Sequence, residues 1–450
     1  MFQSINPYDQ SIIGQYAADD EKSIVKKISR ASDSFHRWKL ETFEVRGSLM
    51  RNAGVVLRTN KEKYAVMISR EMGKILSESN AEIEKCANAC DFYADHAEIF
   101  LKDHVIATEA SKSLVTFQPI GIVLAIMPWN FPFWQVFRFA IPALMAGNVG
   151  LLKHAANVCG CSEAIENVFR EAGFPEGAFQ SVFVESKDVE NIIARREIAA
   201  VTLTGSEYAG TQVALAAGRN LKKTVLELGG SDPFIVLEDA DLDLAARIGT
   251  QSRMQNAGQS CISAKRFIVV ESIKDPFMDR FKKNIEALRQ GNPMEPQTTT
   301  GPVARVDLAG DLEKQLNAAL KAGARLITGG NRNGCNFQPS LLDGVRPGNP
   351  AFDEEIFGPI ASVISVKNEE EAIAMANLSK YGLGGSVWTR DPSRGERVAR
   401  RVESGAVFVN SMMRSDQRLP FGGIKRSGYG RELSELGIKE FVNAKTIYIA

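Results

Sequence analysis

Hydrophobic and polar positions divide the chain into two regimes. Over the first hundred residues apolar side chains recur at helical spacing, as in Leu49, Ala53, Val56 and Leu57, and the stripe they make predicts helices. A short β-prone run at 114–117 precedes Pro119. Beyond it come continuously apolar runs at 122–127, 148–153, 179–184, 199–204 and 224–228, separated by stretches long enough for helices, such as 162–172 and 208–218. Buried strands alternating with helices predict an open, mainly parallel α/β sheet. A second series follows Gly229, with runs at 233–237, 267–270, 326–327 and 406–409. Two α/β units result, divided between Glu227 and Gly230, and such sheets bind ligands beyond the carboxyl ends of their strands.

Composition narrows the function classes. The 54 basic residues balance 54 acidic ones, so no global field favours nucleic acid or an anionic membrane. The most apolar stretch, 121–152, is interrupted by Pro128, Asn130, Pro132, Gln135, Arg138 and Pro142, which argues against a membrane span. The N-terminus has no basic segment leading into an apolar run, and six cysteines are too sparse for a disulfide framework; a reducing cytoplasm is the expected compartment. Cys86 and Cys90, like Cys159 and Cys161, read as buried structural thiols, because no cluster of His and Cys completes a four-ligand set and no metal is expected.

Four segments could carry chemistry. Cys261 in G-Q-S-C-I follows a helical stretch and a Gly-containing turn, and becomes a nucleophile where its surroundings favour the thiolate. Glu227 ends an apolar strand in E-L-G-G; it is either a solvent-facing strand end or a desolvated general base. Gly229 and Gly230 let a large flat group approach the backbone. Asn130 in P-W-N-F-P either donates its amide to an oxyanion or caps the helix starting near Phe133. Gly205 and Ser206 in T-G-S-E-Y-A-G open a helix and suit phosphate binding.

In this order, and with E-E-I-F-G-P at 354–359 and P-F-G-G-x-K-x-S-G at 420–428, these motifs resemble the aldehyde dehydrogenase superfamily over essentially the whole chain. The resemblance implies two doubly wound α/β domains and a small β oligomerisation arm. A Rossmann-like NAD(P) domain would comprise 1–102 and 119–228, a catalytic domain 229–430, and the arm 103–118 with 439–450. It implies Cys261 as nucleophile, Glu227 as base, and Asn130 with the Cys261 N–H as oxyanion hole. Met127, Pro128, Trp129, Leu228 and Gly229 would face the cofactor. Lys153 would contact the adenosine ribose, Gly205 and Ser206 the pyrophosphate side, Glu355 the nicotinamide ribose, and Phe357 the nicotinamide pocket. The expected partners are a small aldehyde and copies of the same chain, as dimer or tetramer.

Within the superfamily the chain is most similar to bacterial succinate-semialdehyde dehydrogenases. Arg138 falls eight residues after Asn130, where that group places an arginine on the substrate carboxylate; Ser415 and Phe421 match further substrate contacts. A structural ion pair is the competing role for Arg138. The second arginine of many such enzymes is Gln255 here, leaving Arg253, Arg414 or Arg418 to compensate. Ala156 neither bonds ribose hydroxyls nor repels a 2′-phosphate, so NAD and NADP are both admitted. A cysteine hydrolase would pair the thiol with histidine, yet His36, His96, His104 and His154 all precede the second unit. A non-catalytic binder would not need Cys261, Glu227 and Asn130 together.

Overall fold

The computed structural model describes residues 1–450. Its first sheet has six strands in the order Gly428–Tyr429, Lys223–Glu227, Ile198–Thr204, Ile122–Met127, Val149–His154 and Phe179–Ser181. All neighbours are parallel except Gly428–Tyr429, which pairs antiparallel with Lys223–Glu227. The central strand, I-V-L-A-I-M, is buried on both faces beneath crossover helices, which is why it shows no alternation. The Trp134–Met145 helix is buried along its whole length.

The second sheet has seven strands, in the order Arg325–Thr328, Ser340–Asp343, Ile360–Val366, Ala264–Val270, Asp232–Val236, Ser386–Trp388 and Phe408–Val409. Only its Arg325–Thr328 edge is antiparallel. A third sheet joins Val442–Ile449, Lys112–Pro119 and His104–Val105 in antiparallel register. Val442–Ile449 is one of its two edge strands and is almost wholly exposed.

Three features depart from the sequence pattern. Residues 2–16 form an antiparallel hairpin, Phe2–Ile5 with Ile12–Tyr16, ahead of the four N-terminal helices; helical spacing in the later residues masks it. Ser340–Asp343, Ile360–Val366 and Ser386–Trp388 are strands outside the apolar runs at 233–237, 267–270, 326–327 and 406–409. The second unit also closes before residue 430, because Phe421, Leu433 and Ile438 pack in the core of the first sheet and Gly428–Tyr429 completes that sheet.

Candidate active site

Cys261 follows a strained turn held from several sides. Asn256 (φ 55°), Ala257 (φ 50°) and Gly258 (φ 72°) are successive left-handed residues between the Leu242–Met254 helix and the cysteine. A left-handed residue with a side chain costs about 1–3 kcal/mol and persists where neighbours over-determine it. Here the Glu78 carboxylate accepts from the Asn256 N–H at 3.1 Å, and the Asn256 side-chain amide donates to the Asn130 carbonyl at 2.7 Å. Gln259 Nε2 donates back to the Asn256 carbonyl (3.0 Å), while its Oε1 accepts from the Ala304 N–H (2.8 Å). Fully buried Arg253 donates to the carbonyls of Ile356 (2.8 Å), Gly358 and Ile360 (2.8 Å), fastening the E-E-I-F-G-P segment to the turn. A Cβ on Gly258 would stand 2.3 Å from the Gly358 oxygen, so the two motifs meet with no room for a side chain.

This scaffold sets Cys261, half-buried, in the wall of a cavity of about 230 Å³ whose lining also includes Phe131, Trp134, Arg138, Ser415 and Phe421. No histidine lines it. Burial pushes the Cys261 thiol up to about 12, against the pull of the Arg138 and Lys265 charges. Lys265 Nζ donates to the Cys261 carbonyl at 2.8 Å.

Glu227 ends the Lys223–Glu227 strand and is buried, and neither carboxylate oxygen has a hydrogen-bond partner. Burial and then the Glu432 charge hold its pKa well above the ordinary carboxylate range, with Arg138 and Arg431 opposing. The solvent-facing alternative for Glu227 therefore falls away. The cap role for Asn130 falls too: the N–H groups of Phe133 and Trp134 donate to Glu82 Oε1 at 2.9 and 3.0 Å. Asn130 Nδ2 instead donates to the Gln259 carbonyl at 3.1 Å, two residues before the cysteine, leaving its second N–H uncommitted.

Arg138 is buried in the cavity wall, but not as an open fork. Its Nε is ion-paired with Glu432, one Nη donates to Thr204 Oγ1 at 3.3 Å, and the guanidinium lies 4.4 Å from the centre of the Phe421 ring. The competing ion-pair role is thus present in the structure. None of the three proposed compensating arginines is a buried free cation in the cavity. Arg253 is consumed by backbone carbonyls, Arg414 is exposed at the rim, and exposed Arg418 pairs with Asp416.

The Aldehyde dehydrogenase family matches residues 1–447. The chain belongs to this family. Among its relatives, a Synechocystis protein named probable succinate-semialdehyde dehydrogenase, NADP(+), is 49% identical over 99% of both chains. Succinate semialdehyde dehydrogenase, NAD(P)+, of Escherichia coli is 43% identical over 99% of this chain and 97% of its own. The structure of succinic semialdehyde dehydrogenase from Streptococcus pyogenes with NADP+ superposes with a TM-score of 0.98 at 38% identity, covering 100% of both chains.

The remaining motif residues of this aldehyde dehydrogenase lie around two further features. Lys153, at the end of the Val149–His154 strand, lines a separate cleft of about 570 Å³ with Ile126, Leu203, Ala209 and Val213. Its ammonium has no ion pair, and burial lowers its pKa. Ser206 caps the Glu207–Arg219 helix by accepting from the Ala209 N–H (3.2 Å), and the Gly205 N–H donates to the Glu227 carbonyl (3.0 Å). That amide is spent within the protein rather than open to phosphate. The glycine pair is likewise occupied from within. A Cβ on Gly229 would meet Glu355 Oε2 at 2.3 Å, and Glu355 Oε1 accepts from the Gly230 N–H at 3.0 Å. Trp129 and Phe357 pack edge to face, 5.8 Å between centres. Buried His154 donates through Nε2 to the Pro132 carbonyl (2.9 Å) and accepts at Nδ1 from the Ala155 N–H (2.9 Å), steadying P-W-N-F-P. The side chain of Leu228 fills the space that a Cβ on Gly210 would need.

Proposed function

We propose that this enzyme oxidises succinate semialdehyde to succinate, with NAD+ or NADP+ as hydride acceptor. The observation that carries this reading is the cavity itself, where Cys261 shares one wall with Arg138, Ser415 and Phe421. A small chamber with a thiol, buried Arg138 and half-buried Lys85 suits a short aldehyde whose other end is negative, since an anion buried without a counter-charge is costly. The names of the relatives point the same way.

After the Cys261 thiol loses its proton to solvent, the sulfur attacks the aldehyde carbon, and the oxyanion of the resulting thiohemiacetal accepts from Asn130 Nδ2 and the Cys261 N–H. Bound NAD(P)+ supplies the acceptor for the hydride that leaves that carbon. A thioester remains on Cys261. Glu227 takes a proton from water as the water oxygen attacks the acyl carbon, the C–S bond breaks to release the acid, and the Glu227 proton returns to the departing sulfur as the thiol re-forms. A high-lying Glu227 holds the accepted proton well.

The Lys153 cleft fits the cofactor's adenosine half: its walls mix apolar side chains such as Ile126, Leu203 and Val213 with polar ones, and the half-buried Lys153 ammonium, which has no ion pair, awaits ribose or phosphate oxygens. By the motifs they belong to, we assign Met127, Pro128, Trp129, Leu228, Gly229, Glu355 and Phe357 to the rest of the cofactor site, with Gly205 and Ser206 on its pyrophosphate side. We assign cofactor binding to the first-sheet unit, catalysis to the second, and assembly into a cytoplasmic dimer or tetramer to the three-stranded arm.

Steady-state assays of succinate semialdehyde and butanal with each cofactor test the reading. A clear preference in kcat/KM for succinate semialdehyde is expected. Equal use of the two aldehydes would refute the substrate assignment. Cys261→Ala should lower turnover by on the order of 10⁴-fold or more while cofactor binding persists.

A further inference from the structure

Lys265 follows Cys261 by four residues and belongs to none of the motifs above. It is the second residue of the Ala264–Val270 strand, which is buried along its whole length, and its own side chain is only 2% exposed. An ammonium taken out of water is costly unless its donors and its charge are both met. The nucleophile turn and Glu355 meet them here. Lys265 Nζ donates to the carbonyls of two consecutive residues, Ser260 at 2.9 Å and Cys261 at 2.8 Å. Its ion-pair partner is Glu355, whose Oε1 lies 3.4 Å away. The three N–H groups are thereby committed, two to the peptide that carries the thiol and one toward the carboxylate.

The surrounding groups are packed too closely to drift apart. Glu355 Oε1 also accepts from the Gly230 N–H at 3.0 Å, and a Cβ on Gly230 would stand 2.8 Å from the Cys261 oxygen. The E-L-G-G turn, Glu355 and the cysteine peptide therefore meet around one ammonium. Lys265 is not in the lining of the chamber that holds the thiol, so it works from behind the turn and does not touch the substrate.

Charge supports the geometry. Burial lifts the Cys261 thiol; the Arg138 and Lys265 charges pull it down, and those of Glu355 and Asp232 push it up. Asp232 is the second buried acid near Lys265. Its Oδ1 accepts from the Gly384 N–H at 3.1 Å, its Oδ2 has no partner, and burial pushes it up to about 7 with Lys265 the foremost charge opposing. Arg253, the remaining charged neighbour of Lys265, is spent on backbone carbonyls. Without Lys265 the thiol would keep both carboxylates and lose the cation that offsets them.

We propose that Lys265 is a positioning residue of the aldehyde oxidation: it clamps the Cys261 peptide through its carbonyl, ties that peptide to Glu355 and supplies positive charge behind the nucleophile turn. This inference rests on the reading that Cys261 is the nucleophile. It makes the reactivity of the thiol depend on an ammonium that never meets the aldehyde, and it joins the nucleophile to a residue assigned to the cofactor site.

The test is the pH dependence of Cys261 alkylation by iodoacetamide, followed on the full chain without cofactor. Cys261→Ala serves as the blank for the five buried cysteines. A cation that favours the thiolate speeds alkylation at every pH below the thiol's midpoint. Lys265→Met and Lys265→Gln should therefore each move the profile to higher pH and slow the reaction at a fixed pH by about tenfold or more, the scale of one charged neighbour. Gln still offers an amide donor to a carbonyl, so a shift in both variants assigns the effect to charge. Lys265→Arg should stay close to the wild-type profile. Glu355→Gln removes the acid that offsets Lys265 and should move the profile the other way, to lower pH, which reads the same bridge even if the Lys265 variants fold poorly. A lysine that only braced the strand would, on removal, lower the thermal midpoint and leave the alkylation profile in place. Wild-type profiles in the Met and Gln variants, or a profile unmoved in Glu355→Gln, would each overturn the assignment to Lys265. Retained turnover in Cys261→Ala would instead fail the underlying nucleophile reading, before any Lys265 variant is compared.

Discussion

At the scale of single residues, the site is a set of buried groups whose protonation is shifted against their chemistry. Burial raises the Cys261 thiol to about 12 and is the first cause lifting Glu227 well above the ordinary carboxylate range. The sign for catalysis follows. A base with a raised pKa is protonated, hence inactive, until the pH rises through that pKa. Turnover should therefore climb over a pH range above that of an ordinary carboxylate. Glu227→Gln should lose about 10²- to 10⁴-fold in steady-state turnover, the usual contribution of a positioned base. Rapid mixing should still show a burst of NAD(P)H, because attack and hydride departure precede the water step. If the burst vanishes together with the steady state, Glu227 acts before deacylation.

Residue identity alone did not reveal which groups are free. G-Q-S-C, E-L-G-G and P-W-N-F-P mark Cys261, Glu227 and Asn130, because a thiol, a carboxylate and an amide at strand ends and turns have few other uses in this combination. Whether the Arg138 fork was open depended on Glu432, 294 positions away and invisible to motif spacing. Lys265 carried one sequence signal: a lysine four residues after Cys261, leading into the apolar run at 267–270.

At the scale of elements, one buried carboxylate ties three segments together. Glu82 on the Leu76–Phe100 helix caps the Trp134–Met145 helix and pairs with Lys74, whose ammonium also lies 3.7 Å from the Phe131 ring centre. Asn130 and Trp134 belong to the segment this contact anchors. Removing one partner of a buried ion pair leaves the other uncompensated, at a cost of about 3–5 kcal/mol. Glu82→Gln should lower the thermal midpoint by several degrees and loosen the P-W-N-F-P loop, raising KM as well. Calorimetry of the variant checks this; an unchanged midpoint would mean that Lys74 finds another partner.

At the scale of the whole molecule, the strand Val442–Ile449 is an exposed open sheet edge. It pairs with Lys112–Pro119 on one side only, and Tyr448 and Ile449 are exposed on it. A long open edge with apolar side chains is a template for pairing with another chain. Deleting residues 439–450 should shift sedimentation toward smaller species and should bare the Lys112–Pro119 strand. An unchanged oligomer would move the interface elsewhere. No helix is long and apolar enough to cross a membrane.

By itself the sequence determined the alternation of buried strands and helices, hence two α/β sheets, and the family to which the chain belongs. Both rest on local regularities: continuous apolar runs for strands buried on two faces, and Gly- or Pro-containing turns whose backbone admits few substitutes. Only the tertiary structure decided which polar groups are spent and which are free. It assigned Glu82 rather than Asn130 to the helix cap, filled the space beside Gly229 with Glu355, paired Arg138 with Glu432, and turned Lys265 onto the Cys261 carbonyl. The physical reason is that hydrogen-bond and charge partners in a buried site come from distant parts of the chain, so their availability is a property of packing and not of spacing.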